Sequence, residues 1–155
     1  MMVAKYNLEM DKNLIPMLVK EQEYDYECDF LDNPEKIMDM LNACMNLRYQ
    51  CEERVVLFCC NTRLSPPHAF FEVAHGTSDT CMITPKEILQ RVLMAGASRF
   101  FLVHNHPSQN LQPSQVDIMF ADQMKDASTI VGVQMLDFLI VGDGYYSFKE
   151  NQMLG

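Results

Sequence analysis

The chain has 155 residues, enough for one compact domain, and 48% of them are hydrophobic, which excludes a disordered polypeptide. Its formal net charge is −9, with much of the acid in the first 53 residues, so it lacks the clustered Lys and Arg that grip a phosphate backbone. No apolar run approaches the roughly 20 residues that cross a bilayer, and the residues after Lys5 are polar and acidic rather than a signal-peptide core. The expectation is a soluble, cytoplasmic protein with a basic or neutral partner, no membrane and no strong nucleic-acid binding.

Residues 1–32 are polar, aromatic and poorly periodic, and read as an arm or an irregular lead-in to a domain over 33–155. Asn33 and Pro34 form an N-cap and N1 pair. The helix behind them carries Ile37, Met38, Leu41, Cys44 and Met45 on one face and ends near Leu47. "ERVVLFCCN" (53–61) is a nearly continuous apolar run, as expected of a central strand. Within it Cys59 and Cys60 are adjacent and so point to opposite faces. The six cysteines (Cys28, Cys44, Cys51, Cys59, Cys60 and Cys81) include no C-x-x-C pair. They read as reduced, mostly buried thiols and not as a cysteine zinc site. The 13 methionines read as core filler.

"RLSPPH" (63–68) is a loop, and "AFFEVAHG" (69–76) the next strand. Thr84-Pro85-Lys86-Glu87 has the form of a capping box. Its helix is expected to bury Ile88, Leu89, Val92 and Leu93 and to close on Gly96. "RFFLVH" (99–104) is a short buried strand. A helix from Ser114 to about Ala127 carries an apolar stripe of Val116, Met119, Phe120 and Met124. "GVQMLDFLIVG" (132–142) supplies one or two strands, and "GDG" turns into a last strand, "YYSFKE". The order predicts an α/β fold, a mixed sheet flanked by helices in a single domain.

The chemistry concentrates in "HNHPSQNLQPSQVD" (104–117). His104 and His106 lie two apart at a strand end, so both imidazoles face one way. Pro107 turns the chain out, and the loop to Pro113 lets it return. Ser114 and Asp117 then stand one helical turn apart, and the carboxylate can meet the two nitrogens. Two histidines and a carboxylate, with a fourth position open, is the pattern of catalytic zinc, which lowers the pKa of its water to about 7. Taken separately, Ser114 and Asp117 are an N-cap with an acid at the positive helix end, and His-x-His is a hydrogen-bonded pair. Their spacing after a buried strand favours the joint reading.

This run, with "TPKEILQRVLMAGASRFFLV" before it and the blocks "ERVVLFCCNTR", "HGTSD" and "LDFLIVGDGYYSF", resembles the RadC-type branch of the JAB/MPN/JAMM metalloprotease superfamily. The likeness runs from about Asn33 to Glu150. It implies a JAB/MPN fold of cytidine-deaminase-like type and a zinc-dependent hydrolase of peptide or isopeptide bonds, acting on a protein or peptide substrate. It makes His104, His106 and Asp117 the Zn2+ ligands. It makes Ser114 the hydroxyl that serves the metal water or the oxyanion, and Glu53 the general base. Glu52 is the alternative base, since a one-residue slip turns the side chain to the other face. His75 could line a substrate groove or be an ordinary loop histidine. His68 reads as a surface residue.

Two positions depart from the branch. Gln109 stands where it usually has Gly, which costs about 1 kcal/mol if the backbone there needs positive φ. Phe138 stands where it usually has His, which alters the polarity around the ligands or the substrate subsite. The branch's longer members also carry an N-terminal helix-hairpin-helix domain, for which this sequence has no matching glycine pattern. Two other functions compete with the hydrolase. One is a non-catalytic module of the same fold that holds a protein along its sheet edge. The other is a DNA-repair-associated factor, which the acidic balance disfavours.

Overall fold

The long apolar run at 53–60 becomes β3 (Glu53–Cys60), whose last six residues are all buried. A strand buried on both faces must have layers on both sides. A computed structural model describes residues 1–61, 68–76 and 83–155 and shows those layers. Strand β3 pairs antiparallel with β4 (His68–Gly76) on one side and with β5 (Arg99–Asn105) on the other. β5 runs parallel to β6 (Gln134–Gly142), and β7 (Gly144–Ser147) folds back antiparallel on β6. The sheet is therefore mixed, as the sequence predicts.

Helix α1 (Pro34–Met45) covers one face. It packs Ile37, Met40 and Leu41 against Val56, Phe58, Val103 and Val141. Helices α2 (Pro85–Met94) and α3 (Gln115–Val131) cover the other, against Leu57, Phe100, Leu102, Phe138 and Ile140. Asn33 caps α1 as expected, accepting from the backbone N–H of Lys36 at 3.0 Å. α1 ends on Asn46 in the left-handed region, and a short 3₁₀ turn over Leu47–Tyr49 follows. Thr84 and Glu87 form the capping box of α2, and Gly96 follows its end at φ 63°.

Residues 1–32 differ from the expectation of an irregular arm. β1 (Met2–Met10) and β2 (Pro16–Asp25) form a hairpin, and β1 pairs parallel with β4. The sheet order is β2-β1-β4-β3-β5-β6-β7. The hairpin escapes a pattern reading for a physical reason. β2 is an edge strand with both faces largely in solvent, so no alternation of apolar and polar residues marks it. Its loop is no two-residue turn either, but five residues held by Asp11, which accepts from the N–H groups of Asn13 and Ile15.

Smaller corrections concern burial. Leu93 is 56% exposed, because α2 turns only Ile88, Leu89 and Val92 inward. Helix α3 extends to Val131 and buries Asp117, Ala121, Met124 and Ser128, leaving Val116 67% and Met119 55% exposed. Among the described residues only Met40 and Met124 of the methionines are fully buried, so core filling is a minority role. The five described cysteines are free thiols, but only Cys59 and Cys60 are buried, one on each face of the sheet. Burial pushes both thiols up, that of Cys60 to about 12, which keeps them from acting as thiolates at neutral pH. Cys81 and the loop before His68 lie outside the described residues, as does the side chain of His68. None of the described helices is long and apolar enough to cross a membrane.

Candidate metal centre

Strand pairing decides what meets at the end of β5. Val55 stands opposite His104 in the β3–β5 ladder. Alternation along β3 then puts Glu53 on the same face as Val55 and His104, and Arg54 on the other. The Glu53 carboxylate comes within 3.8 Å of His104 Nε2. Ligand atoms of Glu53, His104 and His106 all lie within 4.8 Å of one another. Glu52, the alternative, is exposed and turns its carboxylate toward His75 Nε2 at 3.9 Å. His75 sits on β4, not on a loop. It also faces Glu72 at 3.7 Å and takes no part in this cluster.

His106 lies one residue past β5, and its N–H bonds to the Val141 carbonyl at 2.9 Å. Both rings are oriented through Nδ1. His104 Nδ1 lies 3.2 Å from the Arg54 carbonyl, and His106 Nδ1 lies 2.7 Å from the Asn110 carbonyl. A carbonyl only accepts, so each Nδ1 carries a hydrogen and each Nε2 is left to face the cluster.

Asp117 closes the group from the first turn of α3. Its Oδ1 lies 3.8 Å from His104 Nε2, and its Oδ2 lies 3.4 Å from His106 Nε2. The same Oδ2 accepts from the Ser114 N–H and hydroxyl, both at 2.8 Å. The Ser114 hydroxyl oxygen accepts in turn from the Asp117 N–H at 3.1 Å. Ser114 and Asp117 thus form a complete capping box, and its carboxylate is also the one that bridges the imidazoles.

The charges follow from these contacts. Burial lowers the pKa of His104 against the pull of Asp117. The hydrogen bond to Asp117 raises that of His106. Burial would raise the Asp117 carboxyl, but bonds from His106 and Ser114 outweigh it and hold the group at about 2. The cluster is a buried anion facing two nitrogen donors, the donor chemistry that suits a borderline cation such as zinc.

Asn105, between the two histidines, points to the opposite face and is 0% exposed. Its amide accepts from the Arg54 N–H at 2.6 Å and donates to the Glu52 carbonyl at 3.1 Å. It clamps the main chain on both sides of Glu53. A pattern search for ligands passes over it. The period of two in an extended H-N-H run is the signal that places it opposite the two imidazoles.

Gln109 does adopt positive φ, at 66°. Its side chain offsets the strain through a reciprocal contact: Arg48 Nε donates to Gln109 Oε1 at 3.2 Å, and Gln109 Nε2 donates to the Arg48 carbonyl at 3.1 Å. Arg48 also pairs with Asp143 at 2.8 Å, which ties the loop to the end of β6. Gln109→Ala and Gln109→Gly lose the same amide contacts. The alanine variant is expected to be about 1 kcal/mol less stable than the glycine variant by denaturant unfolding, since only glycine relieves the backbone. Equal stabilities would show that the strain is not borne at this residue.

Gly142 holds the loop from below. A Cβ there would stand 2.9 Å from the Gln109 carbonyl oxygen and 3.1 Å from its carbon. These are backbone atoms and cannot swing aside. Gly142→Ala is therefore expected to cost about 1–3 kcal/mol and to weaken metal binding about tenfold by displacing the His106 loop. Unfolding curves and a zinc titration check both. Unchanged values would mean that the loop is free to shift.

The five residues singled out from the sequence (Glu53, His104, His106, Ser114 and Asp117) all line one cavity of about 620 Å³. It lies beyond the carboxyl end of β5, where His106 and the loop to Ser114 leave the sheet. Comparison with known proteins agrees with the architecture. The family model for the RadC-like JAB domain matches residues 31–153, and the chain belongs to that family. A UPF0758 protein of Stutzerimonas stutzeri is 38% identical over 117 residues, 74% of this chain and 50% of the relative. A UPF0758 protein of Thermotoga maritima is 34% identical over 121 residues, 76% of this chain and 54% of the relative. The chain spans about half the length of these curated relatives.

Proposed function

We propose that this chain is a zinc-dependent hydrolase of peptide or isopeptide bonds, acting on a protein or peptide. The observation that carries the proposal is the meeting of Glu53, His104 and His106 within 4.8 Å, with one oxygen of Asp117 turned to each ring. His104 and His106 would hold the ion through Nε2 and Asp117 through its carboxylate. Zinc bound there supplies a Lewis acid and lowers the pKa of water to about 7.

The remaining work falls to the chain. Glu53 takes a proton from the attacking water and returns it to the leaving amine. Ser114 turns its O–H from Asp117 toward the oxygen of the scissile carbonyl and stabilises the developing charge. Arg54 and Asn110 fix the tautomers of the two histidines through their carbonyls. Asn105 keeps Glu53 in line with them.

The test combines elemental analysis of the purified protein with cleavage of a peptide and isopeptide library. One zinc per chain is expected, together with cleavage that a chelator stops and added zinc restores. A zinc-loaded protein that cleaves nothing would favour the non-catalytic module.

A further inference from the structure

We propose that the cavity beside Glu53, His104 and His106 contains a subsite for a large, uncharged, apolar side chain, carried by the substrate residue next to the cleaved bond. The proposal rests on the hydrolase reading above and names its substrate class. The ligand cluster and an apolar wall line the same cavity, so whatever is cleaved at one must lie along the other.

The wall comes from two elements. Phe138 pairs with Leu102 in the β5–β6 ladder, two positions back from His104 and on the same face of the sheet. Two strand positions are about 7 Å, within reach of a side chain one residue from the scissile carbonyl. The Phe138 ring cannot turn away. It is 2% exposed, stacks on Phe148 at 4.8 Å and meets Phe120 edge-on at 6.1 Å. Val116 and Met119, on the first two turns of α3, complete the wall together with Phe120. Both side chains are exposed and border the polar cluster, as the apolar lining of a ligand pocket does.

Charge narrows the occupant further. Among the described lining residues there is no Lys or Arg, while Glu53 and Asp117 are both carboxylates. An acidic side chain finds no cationic side chain along this wall. An aliphatic or aromatic one buries its surface on Val116 and Met119, above the floor that Phe138 forms. Phe138 is then a specificity residue, since it gives the floor of the subsite no polar group.

Three small hydroxamic acids test this on the zinc-loaded full chain by calorimetric titration. Acetohydroxamic acid probes the ion alone, 3-phenylpropanehydroxamic acid adds an apolar arm, and succinic monohydroxamic acid adds an acidic one. The phenyl compound is expected to bind at least about tenfold tighter than acetohydroxamic acid, and the succinic compound to show no such gain. In Met119→Glu, a change at an exposed position, the ratio of phenyl to acetohydroxamic affinity is expected to fall below about three, and Phe138→His should reduce the same ratio. Binding of acetohydroxamic acid with no preference among the three overturns the subsite and leaves the metal site standing. Binding of none of them overturns the metal site and the subsite with it.

Discussion

Glu53→Gln is expected to retain zinc and lose turnover by about 10²–10⁴-fold, the range for removing a general base. The change keeps the length and shape of the side chain, and the main-chain clamp from Asn105 is untouched. The capacity to take a proton is lost, and with it the negative charge. The experiment also separates two uses of this carboxylate, because its oxygen lies close enough to both imidazoles to serve as a ligand. If Glu53 is a ligand, zinc affinity falls together with activity, and the metal content of the purified variant shows it. Zinc retained with full activity would move the base elsewhere. The exposed Glu52 supplies the control: Glu52→Gln is expected to change little, since its side chain faces His75 and lies outside the cavity.

How far the centre can be read from sequence depends on how local each part is. His104, His106, Ser114 and Asp117 fall within one strand, one turn and the first turn of a helix, so elementary periodicities bring them together. Glu53 is different. It stands 51 positions before His104, and only the antiparallel ladder that sets Val55 against His104 brings it alongside. A family resemblance supplies that residue, and the alternation of β3 puts Glu53 rather than Glu52 on the face of His104. The same resemblance flags Gln109 as a position for glycine, and the backbone there is indeed left-handed. What offsets the strain is Arg48, 61 residues away, and no local pattern announces such a pair.

The apolar positions of α3 illustrate the opposite failure. Val116 and Met119 look like a core stripe because periodicity records which residues share a face, not what that face meets. Here Asp117, Ala121 and Met124 turn toward the sheet, and the apolar residues beside them turn toward the cavity. The hairpin of β1 and β2 is missed because its outer strand is largely exposed and has no fully buried residue.

Asp117→Asn is expected to weaken zinc binding by at least about 100-fold and to destabilise the metal-free protein by about 2 kcal/mol at neutral pH. The first effect follows from loss of the anion that bridges His104 and His106. The second follows from linkage. The carboxyl falls from an ordinary 3.8 to about 2 in the fold, so it binds its proton more weakly folded than unfolded. A depressed acid contributes its stability above the unfolded pKa and loses it as pH falls toward the folded one. The difference between wild type and variant should therefore be full above about pH 5 and shrink between about pH 4 and pH 2. An amide keeps only one of the two oxygens: with that oxygen accepting from Ser114 its –NH2 faces His104, and turned the other way the –NH2 opposes the Ser114 N–H. Chelator competition measures the first effect, and chemical denaturation of the metal-free proteins across this pH range measures the second. If the variant binds zinc as tightly as wild type, Asp117 is a helix cap and nothing more, and the ion is held by Glu53 with the two histidines. If affinity falls but the stability gap does not close in acid, the carboxylate acts as a ligand without the ion pairing to His106 that depresses its pKa.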